Sequence, residues 1–228
     1  MVAELKCLRR KVAVVQRRLV KAYGLPVRAA RGDDALSALI NCILSQHTSD
    51  LNSDRAFAAL RARFPAWEQL RDAPLRQVRE VIRPAGLANQ KAPRIQAVLR
   101  AITQQRGQLN INFLRRMPVA DAKQWLLALN GVGPKTAAIT LLFGLNCPAF
   151  PVDTHVHRVS GRLGLIPRGM NADKAHAALE ALVPERDYYA FHINLIRHGR
   201  KVCKAGRPRC EQCVLTDVCD YYQSVAGR

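Results

Sequence analysis

Apolar residues recur along most of this chain at three- and four-residue intervals, the period of helices that bury one face. Leu5, Leu8, Val12, Val15 and Leu19 form the first such stripe, with basic residues around it, and Gly24 and Pro26 end it. From residue 34 onward the same period predicts helices over 35–44, 53–63, 75–82, 90–105, 120–129, 134–145, 154–163, 172–182 and 188–200. The breaks between them hold Phe64-Pro65, Pro84 with Gly86, Gly107, Gly131-Val132-Gly133, and Pro148 with Pro151. No run alternates apolar and polar residues between hairpin turns. The pattern predicts an all-α fold with short connectors and no internal repeat.

Composition narrows the class. A chain of 228 residues with 49% hydrophobic content can bury one large or two small cores, which excludes general disorder. The longest apolar stretch, 137–145, falls well short of the ~20 residues that a membrane helix needs. The basic, amphipathic N-terminus holds no apolar signal core, so export is not expected and a cytoplasmic setting without a membrane partner is.

Charge changes the picture more. Lys and Arg number 36 against 17 Asp and Glu, a net +19. The excess is concentrated. Residues 1–31 hold Lys6, Arg9, Arg10, Lys11, Arg17, Arg18, Lys21, Arg28 and Arg31 against Glu4 alone, and residues 197–210 hold Arg197, Arg200, Lys201, Lys204, Arg207 and Arg209 with no acid. A polyanion is the expected partner, gripped through phosphates and sensitive to salt. The N-terminal helix serves equally well as a docked amphipathic helix with a solvated face.

The seven cysteines form two groups. Cys7, Cys42 and Cys147 stand among apolar or helical neighbours and are expected to be buried, inert thiols. Cys203, Cys210, Cys213 and Cys219 are spaced C-x6-C-x2-C-x5-C. Outside an oxidising compartment such a cluster reads as metal ligation. Four thiolates suit a tetrahedral zinc or a [4Fe–4S] cluster. A single C-x2-C pair tilts the choice toward the cluster without deciding it.

The segment Leu129-Asn130-Gly131-Val132-Gly133-Pro134-Lys135-Thr136-Ala137 joins two predicted helices through a Gly-x-Gly turn. Glycines permit a tight turn and close approach of another chain. Pro134 opens the second helix, whose free N–H groups suit a phosphate oxygen. This is what a helix-hairpin-helix needs to hold a DNA backbone without reading its sequence. Lys135 is then either a phosphate clamp or a nucleophile, since a helix N-terminus and partial burial favour the free amine. Asp153 lies downstream in Pro151-Val152-Asp153-Thr154-His155. An Asp before a helix most often caps it, and the same placement serves a catalytic carboxylate. His155 and His157 fall on different helix faces, so a structural role is favoured over metal binding.

Together, the Gly-Val-Gly hairpin with Lys135, the downstream Val-Asp-Thr-His, and the cysteine spacing resemble endonuclease III, the iron–sulfur DNA glycosylase/AP lyases of base-excision repair. Leu44-Ser45-Gln46-His47-Thr48-Ser49-Asp50, Gly86-Leu87-Ala88-Asn89-Gln90-Lys91-Ala92 and His198-Gly199-Arg200 add to the likeness, which spans roughly residues 30–222. The resemblance implies a two-lobed helical fold with a cleft between the lobes. One lobe is a helical barrel over 28–147 containing the hairpin at about 120–145, and the other is a cluster domain of 1–27 plus 148–228.

It also implies a bifunctional DNA N-glycosylase and AP lyase acting on oxidised pyrimidines such as thymine glycol. Lys135 would attack C1′ of a flipped nucleotide, expel the base, and form a Schiff base that undergoes β-elimination. Asp153 would stabilise the positive sugar and shuttle protons. Gln46 or His47 would fill the gap in the duplex and Leu87 would wedge the opposite strand. Gly131, Val132, Gly133 and Thr136 would hold the DNA backbone, as would Lys204, Arg207 and Arg209. The four clustered cysteines would carry a [4Fe–4S] cluster. The implied partner is duplex DNA with a damaged base or abasic site, met by a monomer associated with the nucleoid. Asn130 stands where the family usually has proline, Leu127 where an acid is common, and Ala88 where tyrosine is common. Leu127 and Ala88 flank the expected pocket and bear on the range of damaged bases. The other readings are a monofunctional mismatch glycosylase of the adenine-removing type and a non-catalytic damage-binding protein of the same fold.

Overall fold

The computed structural model of the protein describes residues 2–28 and 34–226. In chain order its helices are α1 (Val2–Tyr23), α2 (Ala35–Ser45), α3 (Asp50–Arg63), α4 (Trp67–Asp72), α5 (Leu75–Val81), α6 (Ala88–Arg106), α7 (Val119–Leu127), α8 (Pro134–Ile139), α9 (Thr154–Arg162), α10 (Ala172–Leu182), α11 (Tyr188–Lys201) and α12 (Asp220–Ala226). Single 3₁₀ turns connect several of them. Among the described residues there is no β-strand, and no helix is long and apolar enough to cross a membrane.

The predicted helices are present, and the differences have local causes. α3 starts three residues early because Ser49 caps it, its Oγ accepting the Asn52 N–H at 3.3 Å. The helical period does not predict α4 and α12, of six and seven residues. The predicted helix over 134–145 divides: α8 ends at Ile139 and a π-helical turn, Thr140–Gly144, completes it. Gly144 lies against α2, where an added Cβ would meet Ala35 Cα at 2.8 Å. Only glycine allows that approach.

The chain divides into two compact units, one of Arg31–Cys147 and one of Met1–Ala30 with Pro148–Arg228. The core of the first is α2, apolar nearly all round, with Leu36, Leu39, Ile40, Ile43 and Leu44 fully buried. Leu60 of α3, Leu70 of α4, Val78 of α5, Ile95 and Leu99 of α6, and Leu126 of α7 complete this core. Asp34 caps α2 and also accepts the Trp67 indole N–H at 3.2 Å.

In the second unit α1 packs on α10 and α11 through Val12, Val15 and Leu19, all buried. Phe150 meets Tyr188 edge-on at 5.4 Å and lies beside Phe191. The basic face of α1 is partly consumed here. Arg9 donates to Ala181 O at 3.0 Å, Lys11 pairs with Asp220, and Arg18 Nη2 donates to Asp217 Oδ2 at 2.7 Å. These cations therefore serve as docking contacts of an amphipathic helix. Arg31 lies outside the described residues.

One cysteine expectation is corrected. Cys42 and Cys147 are buried, but Cys7 is exposed. At 3.6 residues per turn Cys7 sits about 140° around α1 from Val12, off the buried stripe. Proximity to apolar residues in sequence does not place a side chain on their face.

Candidate functional site

The turn between α7 and α8 is built from backbone bonds. The Val132 N–H donates to Leu129 O at 3.0 Å and the Ala137 N–H to Gly133 O at 2.9 Å. Gly131 has φ +79°, and a Cβ there would collide with the stem of Arg94. Gly133 caps α8 with no side-chain bond to the helix end, and a Cβ built on it meets nothing within 4 Å. The first N–H groups of α8 thus lie behind an unobstructed backbone, the arrangement that accepts an anion. Val132 and Thr136 are buried, so any DNA contact they make runs through their main chain.

Lys135 stands in the first turn of α8, half-buried. Its neighbour Thr136 points inward, and its Oγ1 receives hydrogen bonds from Gln46 Nε2 at 3.5 Å and from the Cys42 thiol at 3.6 Å. Burial pushes the Cys42 thiol up, which keeps it a neutral donor. Gln46 Oε1 accepts from Arg94 Nη1 at 2.8 Å, so both ends of its amide are held.

His47 and Leu87 share an unusual trait. Both are non-glycine residues in the left-handed region, at φ 52° and 50°, and both side chains are exposed, Leu87 by 46%. A leucine in that conformation and that far into solvent carries both a backbone and a hydration cost, a combination that concentrates at functional sites. Ala88 opens α6 directly after Leu87, and Leu127 is the last residue of α7.

In the other unit Asp153 caps α9. Its Oδ1 accepts the Val156 N–H at 2.7 Å, and among the described residues nothing bonds its Oδ2. His157 Nε2 lies 2.7 Å from Met170 O and His155 Nδ1 lies 3.1 Å from Arg158 Nη2, both structural contacts. Lys204, Arg207 and Arg209 lie on the loop after α11; Lys204 and Arg209 are exposed and Arg207 is too.

Cys203, Cys210, Cys213 and Cys219 line one apolar cavity with Val159, Leu163 and Leu215. No three His, Cys, Asp or Glu side chains among the described residues converge as a single ion requires. Four thiols lining one apolar chamber are the donor set that a [4Fe–4S] cluster takes. Two polar groups of the same lining reach the sulfurs: Arg162 Nη1 donates to Cys203 Sγ at 3.3 Å, and His198 Nε2 lies 3.6 Å from Cys213 Sγ. The His198 ring is set by Tyr23, whose hydroxyl is 3.0 Å from Nδ1. Burial pushes the thiols of Cys210, Cys213 and Cys219 up, Cys213 to about 11, so cluster loading must displace protons.

The model of the HhH-GPD superfamily base excision DNA repair protein matches residues 40–185, and that of the iron–sulfur binding domain of endonuclease III matches residues 203–219. Endonuclease III of Thermotoga maritima is 34% identical over 207 residues, covering 91% of each chain. The chain belongs to the endonuclease III family. The Sulfolobus acidocaldarius endonuclease III is 30% identical over 217 residues, covering 94% of this chain and 93% of that one. An Arabidopsis thaliana protein provisionally classed as a DNA glycosylase is 36% identical over 171 residues, and the matched stretch spans 58% of its length. Among solved structures, a non-covalent endonuclease III–DNA complex superposes with a TM-score of 0.80 at 25% identity, covering 96% of this chain and 99% of that one.

Family membership makes the protein an endonuclease III-like DNA glycosylase of base-excision repair that carries a [4Fe–4S] cluster. Some of its supporting residues left little trace in the sequence pattern. Arg162 follows Arg158 by one helical turn, and both reach the cluster loop, Arg158 Nε donating to Cys203 O at 3.0 Å. That spacing of arginines ahead of a cysteine cluster was the available signal.

Proposed function

We propose that this chain is a bifunctional DNA N-glycosylase and AP lyase acting on oxidised pyrimidines such as thymine glycol in duplex DNA. The observation that carries the reading is Lys135, a half-buried amine in the first turn of α8 directly behind the open Gly133 backbone. A hairpin that grips the phosphate brings the deoxyribose of the same strand to that amine. Lys135 Nζ attacks C1′, the glycosidic bond breaks, and the base leaves with the bonding pair and a proton. The resulting N,O-acetal opens to a Schiff base as the C1′–O4′ bond breaks and O4′ takes a proton; a C2′ proton is then lost and the 3′ phosphate is eliminated.

Asp153 contributes the free carboxylate oxygen that stabilises positive charge on the sugar and relays protons. The left-handed, exposed His47 and Leu87 support insertion into the duplex: Gln46 or His47 fills the gap and Leu87 wedges the opposite strand. Cys203, Cys210, Cys213 and Cys219 hold the cluster, which when bound cross-links residues 203–219 into one loop. That loop presents Lys204, Arg207 and Arg209 to phosphates.

Borohydride added during incubation with thymine glycol duplex should trap a covalent complex, and Lys135→Ala should abolish it. Intact DNA binding without trapping would overturn the lyase step. Base release with unbroken abasic strands would assign a monofunctional glycosylase.

A further inference from the structure

Lys91 is among the largest fully buried side chains of the protein's described residues, only 1% exposed, yet no step of the proposed chemistry uses it. Its Nζ donates to Leu44 O at 2.7 Å and to Ala85 O at 2.7 Å. Leu44 lies in the last turn of α2, and Ala85 ends the 3₁₀ turn Arg83–Ala85. Carbonyls at helix ends have no partner within the helix, and a cation placed on them also meets the negative end of the dipole. One ammonium therefore closes two helix ends at once.

Both helix ends lead directly into exposed, left-handed residues. Two residues after Leu44 comes Gln46 and then His47, and two residues after Ala85 comes Leu87. Lys91 thus ties together the roots of two of the three exposed, non-glycine residues with a left-handed backbone among the described residues, the third being Asn146. Leu87, Lys91 and Arg94 are spaced i, i+4 and i+7 and share one face at the start of α6. The last of them holds the Gln46 amide at 2.8 Å and packs beneath Gly131. A single helical stripe carries one wedge, the tie to the second, and the brace of the hairpin. Burial, then the charge of Arg94, lower the Lys91 pKa, in keeping with a site enclosed by the protein.

We infer that Lys91 is a positioning residue that fixes the spacing between the Gln46-His47 loop and the Leu87 loop, so that both enter the duplex together. The inference rests on the proposed glycosylase reading and adds to it the device that sets the two insertions in register. Lys91 touches neither DNA nor the reacting atoms. Its loss should impair extrusion of the base and spare the subsequent chemistry.

The test compares single-turnover cleavage of thymine glycol in a matched duplex with the same lesion in a bulge, where the base is already unstacked. Lys91→Met should lose on the order of 10²-fold on the duplex, the cost of misplacing a positioned group by about 1 Å. On the bulge it should cleave at the wild-type rate. Equal loss on both substrates, or no loss on either, would overturn the inference. Lys91→Gln, which keeps an N–H donor, replaces the methionine variant if that variant lacks the wild-type helical circular dichroism. A Gln46→Ala/His47→Ala/Leu87→Ala background gives a second reading: with both insertions gone, changing Lys91 should have no further effect on the duplex. A further loss there counts against the inference.

Fluorescence of 2-aminopurine beside a tetrahydrofuran abasic analogue reads distortion without any cleavage. The wild type should raise it and Lys91→Met should not; an equal rise from both would overturn the positioning role. A wild type that raises the fluorescence but cleaves nothing would defeat the glycosylase reading alone.

Discussion

The aliphatic stem of Arg94 occupies the space that a side chain on Gly131 would need. Arg94 also holds Gln46, so hairpin and gap-filling loop share one support. Gly131→Ala meets both that collision and a φ of +79°, a strain of about 1–3 kcal/mol. It should lower thermal stability and weaken binding to damaged and undamaged duplexes alike. In Arg94→Ala the steric part disappears while the backbone part stays. The Gly131→Ala penalty should then shrink without vanishing, which a double-mutant cycle on unfolding free energies measures.

Asp153 serves two purposes that substitution can separate. Asparagine caps helices about as well as aspartate, so Asp153→Asn should keep the bond to the Val156 N–H and the stability of α9. Its single-turnover rate should nonetheless fall about 10²–10⁴-fold through loss of the carboxylate. Asp153→Ala should lose the cap as well, about 1 kcal/mol. A fully active Asp153→Asn would leave the residue with a capping role only.

Lys204, Arg207 and Arg209 are exposed and make the cluster loop the most concentrated basic surface after α11. Replacing all three by alanine should weaken binding to every duplex, lesion or none. The dependence of log K on log salt should flatten by about 2.7 if each meets one phosphate. A change in lesion preference with the salt slope intact would contradict a backbone grip.

Burial pushes the Tyr188 phenol up from 10.0 to about 12, with Glu180 and Glu185 adding to the shift. Between pH 10 and 12 the folded chain keeps a proton that the unfolded chain has lost. The stabilisation is complete below pH 10 and drains away as pH rises toward 12. Tyr188→Phe should remove this part of the alkaline slope in denaturant titrations. At neutral pH it should cost about 1 kcal/mol for the lost bond to Glu180 O.

Exposed Cys7 should react with a maleimide in the folded holoprotein, while Cys42 and Cys147 should react only on unfolding. Mass spectrometry of the peptides distinguishes them. Cys7→Ser should leave stability unchanged, because the side chain lies off the buried stripe of α1.

Periodicity, punctuation and cysteine spacing, all local in the chain, were enough to predict most helices, the hairpin turn, the cap at Asp153 and the cysteine set. They report what a residue does within a few positions of itself, and so they carry through into any fold that forms. Tertiary structure decided what depends on groups distant in sequence. Cys7 is exposed because docking of α1 buries Val12, Val15 and Leu19, and Cys7 lies off their stripe. Arg9, Lys11 and Arg18 are docking contacts because Ala181, Asp220 and Asp217 come to meet them. Lys91 reads as one more surface lysine until Leu44 and Ala85 converge on it from 47 and 6 residues away. A buried charge must find partners, and a helical period holds no information about which distant carbonyls will supply them.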